Sequence, residues 1–271
     1  MKKLKPILNI LAVIVPVLLI WLSFEISPLA GLVTMAAYLT VLFIWQRPNI
    51  LTLMGQRQYA KGNNTKALDI LKKAHNASAR YPLNSVTYAY ILLRCGNDKE
   101  SAAVLNYVLL NRKLKPDHKM VARQNLSLVY YRQGDVVEAM RIMQDVFAEY
   151  KTSNVYGTMG YYKILMNAPD ALDFALEAYE FNADDKIIAD NLVQLYIAGG
   201  DLAKARELSD KSMEAGNKGV EIYYHAGQIA LAEGNIDEAR DMFENAQSCT
   251  RSFMTTVLEE EIERALESVG E

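Results

Sequence analysis

Few side chains in this sequence are spaced to do chemistry. His75, His118 and His225 share no spacing with one another or with a cysteine at ligand distance. No G-x-S-x-G, H-E-x-x-H or phosphate-binding glycine loop occurs, so the parts for nucleophilic, metal-assisted or phosphoryl-transfer catalysis are lacking. Each histidine is read as a surface or groove residue, and no enzyme activity, cofactor or metal is expected. Cys95 and Cys249 form no C-x-x-C pair and imply neither a disulfide framework nor a zinc site. They read as reduced structural thiols of a cytosolic compartment. A net charge of -3 lacks the basic surface that a nucleic-acid binder needs to neutralise several phosphates.

The elements that must position any site divide by solvent. Between residues 6 and 45 the only charged side chain is Glu25. The run PILNILAVIVPVLLIWLSF, 6–24, has 19 residues and would span roughly 28 Å as a helix, which matches a bilayer core. Pro16 is tolerated there as a kink. A second run, LAGLVTMAAYLTVLFIW, covers 29–45, with room between the two only for a tight turn. Trp21 and Trp45 stand near the ends of the runs, where amphipathic rings favour the headgroup region. A cleaved secretory signal peptide would also begin with Lys2, Lys3 and Lys5 before an apolar stretch. The second run and the lack of an A-x-A site favour a transmembrane hairpin over 1–46. Basic residues flank both runs (Lys2, Lys3, Lys5; Arg47, Arg57, Lys61), so both termini are expected in the cytoplasm of a two-span cell-membrane protein.

Beyond residue 46 one pattern recurs: YAKGNNTKAL, LRCGNDKESA, YRQGDVVEAM, IAGGDLAKAR and LAEGNIDEAR. The bend glycines Gly62, Gly96, Gly134, Gly200 and Gly234 are separated by 34, 38, 66 and 34 residues. The interval of 66 is nearly two periods, with a weaker bend at Asn167 to Pro169, which gives six units. About a dozen residues with apolar positions three and four apart flank each bend, so the unit is helix, turn, helix. The polar residue after each glycine, Asn63, Asn97, Asp135, Asp201 or Asn235, suits a helix start, and Glu100, Glu138 and Glu238 could complete capping boxes. Small residues seven before and five after the bend (Gly55 with Ala67, Ala89 with Ser101, Ser127 with Ala139, Gly227 with Ala239) allow paired helices to approach closely. Ala74, Ala178 and Ala246 would do the same against the next unit. The basic stretch NRKLKPDHK, 111–119, lengthens one interval and reads as a solvated loop. Residues 255–268, TTVLEEEIERALES, read as a final helix with apolar Val257, Leu258, Ile262, Ala265 and Leu266 inward and Glu259, Glu260, Glu261 and Glu263 outward.

These units resemble the tetratricopeptide repeat family over about residues 48–252, most closely in YRQGDVVEAM and YYHAGQIALAEGNIDEARDMFENA. The family's tryptophan is absent here, and its helix-ending proline mostly so. With the transmembrane hairpin read from the apolar runs over 1–46, the resemblance implies an all-α chain: a two-helix transmembrane hairpin, then an α-α superhelix of about six repeats over 48–252, and a capping helix over 253–271. It also implies a groove lined by the first helix of each unit. By family position the groove residues are Gln56 and Tyr59; Tyr90 and Arg94; Gln124, Asn125, Tyr131 and Arg132; Thr158 and Tyr161; Asp190, Asn191 and Gln194; and Tyr224, His225 and Gln228. Amides can hold a peptide backbone, and tyrosines supply apolar area with a hydroxyl. The lysines of the family's carboxylate clamp are missing and only Asn125 matches it by type, so a chaperone-tail clamp is not expected. The expected function is a membrane-anchored scaffold whose cytoplasmic repeats bind another protein or peptide. The competing expectation is a fixed subunit of a membrane-associated secretion, envelope or division complex.

Overall fold

The computed structural model describes residues 4–77, 81–112, 114–251 and 255–270, with side chains from Ile14 onward. Lys2 and Lys3, and the side chain of Lys5, on which the topology expectation partly rests, lie outside the described residues, as does Lys113 of the basic stretch. Among the described residues the chain is all-helical, and it divides into two compact units, Met1–Ile91 and Leu92–Glu271.

In the first unit α1, Leu4–Ile26, and α2, Pro28–Ala60, are separated by Ser27 alone. Ser27 is extended, its hydroxyl accepts from the Ala30 amide at 3.1 Å, and Pro28 follows with its φ already set for a helix. The two helices fold back on each other: Thr34 Oγ1 donates to Ser23 Oγ at 3.0 Å, and Gly31 lies under the Phe24 ring. Among the described residues α2 is the one helix long and apolar enough to cross a membrane, and Ile14–Ile26 is a shorter apolar stretch. The expected second span and the first helix of the first repeat are one continuous helix, so the boundary expected at 46–48 falls within it. Pro48 does not break α2, and Thr52 donates to the Pro48 carbonyl at 3.0 Å. Then α3, Asn64–Asn76, packs back on α2, with Leu71 filling the space a side chain at Gly55 would need. The last helix of this unit, α4, Pro82–Arg94, ends across the unit boundary.

The second unit continues the alternation with α5, Asp98–Leu109; α6, Pro116–Arg132; α7, Val136–Glu149; α8, Ser153–Leu165; α9, Ala171–Phe181; α10, Lys186–Ala198; α11, Leu202–Glu214; α12, Val220–Ala232; and α13, Ile236–Ser248. The first helices α6 and α8 are buried on most sides, whereas α7 and α13 each bury one apolar stripe against their neighbours. The five bend glycines all take left-handed φ, 76° to 83°, where a Cβ would strain the chain. Asn167 takes the same role at φ 48°, which is the weak bend expected from sequence. The inter-helix residues Ala67, Ser101, Ser127, Ala139 and Ala239 are wholly buried.

Three local expectations are corrected. Asp135 and Asp201 accept from the amides of Glu138 and Lys204, but Asn63, Asn97 and Asn235 make no side-chain cap. The basic stretch is loop only to Lys115, because Pro116 sits at the first position of α6 and starts it. The final helix, α14, is Glu259–Ser268 and not 255–268: Thr256 donates its amide to Glu221 of α12, and Leu258 donates to Glu261. Glu261 therefore folds back to cap α14, while Glu259, Glu260 and Glu263 face outward. Leu258 is exposed, and Val257 and Ile262 alone are fully inward among the expected apolar positions.

Candidate functional site

In the second unit the first helices of four successive hairpins, α6, α8, α10 and α12, enclose a pocket of about 340 Å³. Tyr131, Thr158, Tyr161, Asp190 and Asn191, all expected from sequence, line it. The rings of Tyr131 and Tyr161 meet edge to face at 5.7 Å, and their hydroxyls share a hydrogen bond of 3.3 Å. Tyr162, one residue on, is buried and shares a hydrogen bond with Ser127. Burial raises the pKa values of Tyr161 and Tyr162, so both keep their protons and act as neutral donors and acceptors. Asn154, Lys186, Glu221, Thr255 and Thr256 also line it and were missed by the sequence reading. The last two belong to the segment before α14, and Thr256 hydrogen-bonds Tyr161.

Several expected groove residues, pocket-lining ones among them, are engaged by the neighbouring repeat. Asn191 is 4% exposed and donates one amide N–H to the Gly157 carbonyl at 2.8 Å, which ties α10 to α8. Arg132 pairs with Asp98 of α5 at 3.1 Å. His225, 4% exposed, hydrogen-bonds Asp190 at 2.9 Å. Burial opposes its charge, but Asp190, with Glu221 and Glu261 further off, outweighs burial and raises its pKa above the ordinary histidine value. Tyr224 meets the Phe243 ring at 5.7 Å and takes a hydrogen bond with Gln228, and like Leu266 of α14 it packs against the cluster of Ala230, Ala239 and Phe243. These ties span 34, 34 and 35 residues for Asn191, Arg132 and His225. One repeat period is thus the signal that would have exposed them: a polar residue on a first helix bonds a group about 34 residues earlier in the chain.

Gln124 is buried, and its Nε2 has no hydrogen-bond partner among the described residues. Asn125 and Gln194 are half-buried, Arg94 lies half-buried at the end of α4, and none of the three lines the pocket. In the first unit Gln56 is exposed, and Tyr59 and Tyr90 are half-buried. Among the described residues no group of His, Cys, Asp and Glu is placed to hold a metal ion, and both cysteines are free thiols.

Tetratricopeptide repeat family models match residues 120–154 and 221–245. The first covers most of α6 and all of α7, the second most of α12 and α13. No curated protein matches the sequence. Among solved structures the chain is similar to a tetratricopeptide repeat protein from Parabacteroides merdae, at TM-score 0.65 and 17% identity, covering 94% of this chain and 99% of that one. PilF of Pseudomonas aeruginosa matches at TM-score 0.62 and 15% identity, over 83% of this chain and 99% of its own. The type IV pilus biogenesis factor PilW matches at TM-score 0.64 and 15% identity with the same coverage. At such identities the likeness is one of fold.

Proposed function

We propose that this tetratricopeptide-repeat protein is a membrane-anchored scaffold that binds an extended segment of another protein in the pocket of α6, α8, α10 and α12. The pocket carries the proposal, because repeat arrays use such inner faces for recognition and this one pairs tyrosine rings with polar edges. Apolar contact with Tyr131 and Tyr161 would supply affinity, and Asn154, Lys186 and Thr158 would fix the orientation of a bound backbone.

Anchoring is supported by α2. Its 33 residues make a rod of roughly 50 Å, of which a bilayer core takes about 30 Å. In this reading α1 and α2 cross as a hairpin with both termini cytoplasmic, residues 1–46 are the anchor, 48–252 the array and 253–271 its cap. No catalysis, cofactor or nucleic acid enters it.

A second reading makes the chain a fixed subunit of a secretion, envelope or division assembly, held mainly through α1 and α2. The large exposed apolar residues along both helices, Trp21, Phe43 and Trp45 among them, favour it. A fragment of residues 47–271 separates the two. Under the scaffold reading it captures the protein that the full chain captures in membranes, with similar affinity. Loss of that capture would favour the fixed subunit.

A further inference from the structure

Charge is unevenly divided along this chain. Residues 46–91 carry seven Lys and Arg against one acid, Asp69, whereas residues 92–271 carry 19 against 30. The excess of positive charge therefore lies in the repeat that α2 itself begins.

Its position follows from helix geometry, given the reading that α2 crosses the membrane. If the bilayer core ends near Arg47, Gly55 stands about 12 Å beyond it at 1.5 Å per residue. The missing side chain at Gly55 leaves room for Leu71, so those two residues share a level. From Leu71, α3 runs back toward the bilayer. Lys72 and Lys73 then lie level with Met54 and Leu53, about 9–11 Å from Arg47, and the chain descends further to Asn76. The return is fixed at its lower end, where Asn84 of α4 donates to Asn49 of α2 at 2.9 Å. Lys61 and Lys66, at the other end of the same hairpin, stand about 20 Å from Arg47.

The face of α2 at the lower level is also unusual for a water-exposed helix. Leu53 and Met54, beyond the apolar run, are 67% and 51% exposed. They lie on the side of α2 opposite the buried stripe of Pro48, Thr52 and Gly55. Exposed apolar residues at the height of a lysine pair are the pattern of an interfacial surface, where apolar atoms enter the headgroup boundary and ammonium groups meet phosphates.

We propose that the membrane-facing end of this first repeat, Leu53 and Met54 with Lys72 and Lys73, docks on anionic phospholipid headgroups and so fixes the array against the bilayer surface. The surface potential of an anionic leaflet decays within about 8 Å at physiological salt. With their long stems, Lys72 and Lys73 reach that layer, and Lys61 and Lys66 do not. Asp69 pairs with Lys73 at 2.7 Å on an exposed face, a contact weak enough for a headgroup phosphate to replace.

The test uses the full chain in two sets of vesicles, one of phosphatidylcholine and one also containing phosphatidylglycerol. Flotation first establishes that the protein inserts in both. Lysine acylation is then read residue by residue by mass spectrometry. Lys72 and Lys73 should react severalfold more slowly in the anionic vesicles, with the difference lost at about 0.5 M salt, where the screening length falls to a few Å. Lys61 and Lys66 should react equally in both. Equal rates at Lys72 and Lys73, or equal protection at Lys61 and Lys66, would overturn the docking surface while leaving the anchor intact. Failure to float with either vesicle would overturn the anchor, and this inference with it.

Discussion

The proton on His225 is linked to folding. Asp190 holds it at 2.9 Å inside the second unit, and its pKa is raised above the ordinary 6.5. Because the folded value exceeds the unfolded one, the pair contributes its full stability below about pH 6.5 and loses it as pH rises through the folded value. Asp190, Glu221 and Glu261 are the carboxylates that face the ring's charge, and Lys186 is the cation that shares the pocket with Asp190. Thermal melts followed by circular dichroism should show the wild type losing stability as pH rises above about 6.5, and His225→Gln losing much less over the same range. Parallel curves for the two would mean that folding leaves the pKa of the histidine unchanged. The same residue shows what the sequence could not tell. Family position placed His225 in the groove, but whether a polar side chain faces a ligand or a neighbouring repeat depends on what stands one period earlier, and there Asp190 takes it.

At the scale of the element, close helix approach holds each hairpin together. Ala239 is wholly buried where α13 crosses α12, and a Cβ on Gly227 would come within 2.5 Å of the Phe243 ring. Ala239→Leu should therefore destabilise the protein by about 1–3 kcal/mol through overpacking. Glu260→Leu, in the exposed first turn of α14, should change stability by no more than about 0.5 kcal/mol. Chemical denaturation of both variants checks this, and equal midpoints would contradict the repeat register. The register was legible because bend glycines and small residues are local requirements: Gly62 and Gly234 must take left-handed φ, and even the glycine-free bend at Asn167 follows that rule. The start of α14 was not legible. Periodicity runs back to Thr255, but Glu221, 35 residues away, captures the Thr256 amide and keeps the segment extended. The continuity of α2 was equally hidden, since the apolar run stops at Trp45 and the polar repeat pattern begins just beyond it, with nothing local to show that one helix carries both.

For the whole molecule, an apolar hairpin leads into a repeat array whose tyrosine-lined pocket is the proposed place of recognition. Pocket residues Tyr131, Thr158 and Tyr161 were readable because first helices repeat at fixed positions. Asn154, Lys186 and Thr256 were not, because the pocket closes only when α8, α10 and the chain before α14 converge. The central claim is tested most directly by photo-crosslinking in native membranes. Benzoylphenylalanine in place of Asn154 or Tyr131 reports on the pocket, and in place of Lys204 or Glu207 on the exposed surface of α11. Positions 154 and 131 should give the same discrete protein adduct, and positions 204 and 207 should give none. An adduct formed from 204 and 207 but absent from 154 and 131 would place recognition on the outer surface and contradict the account.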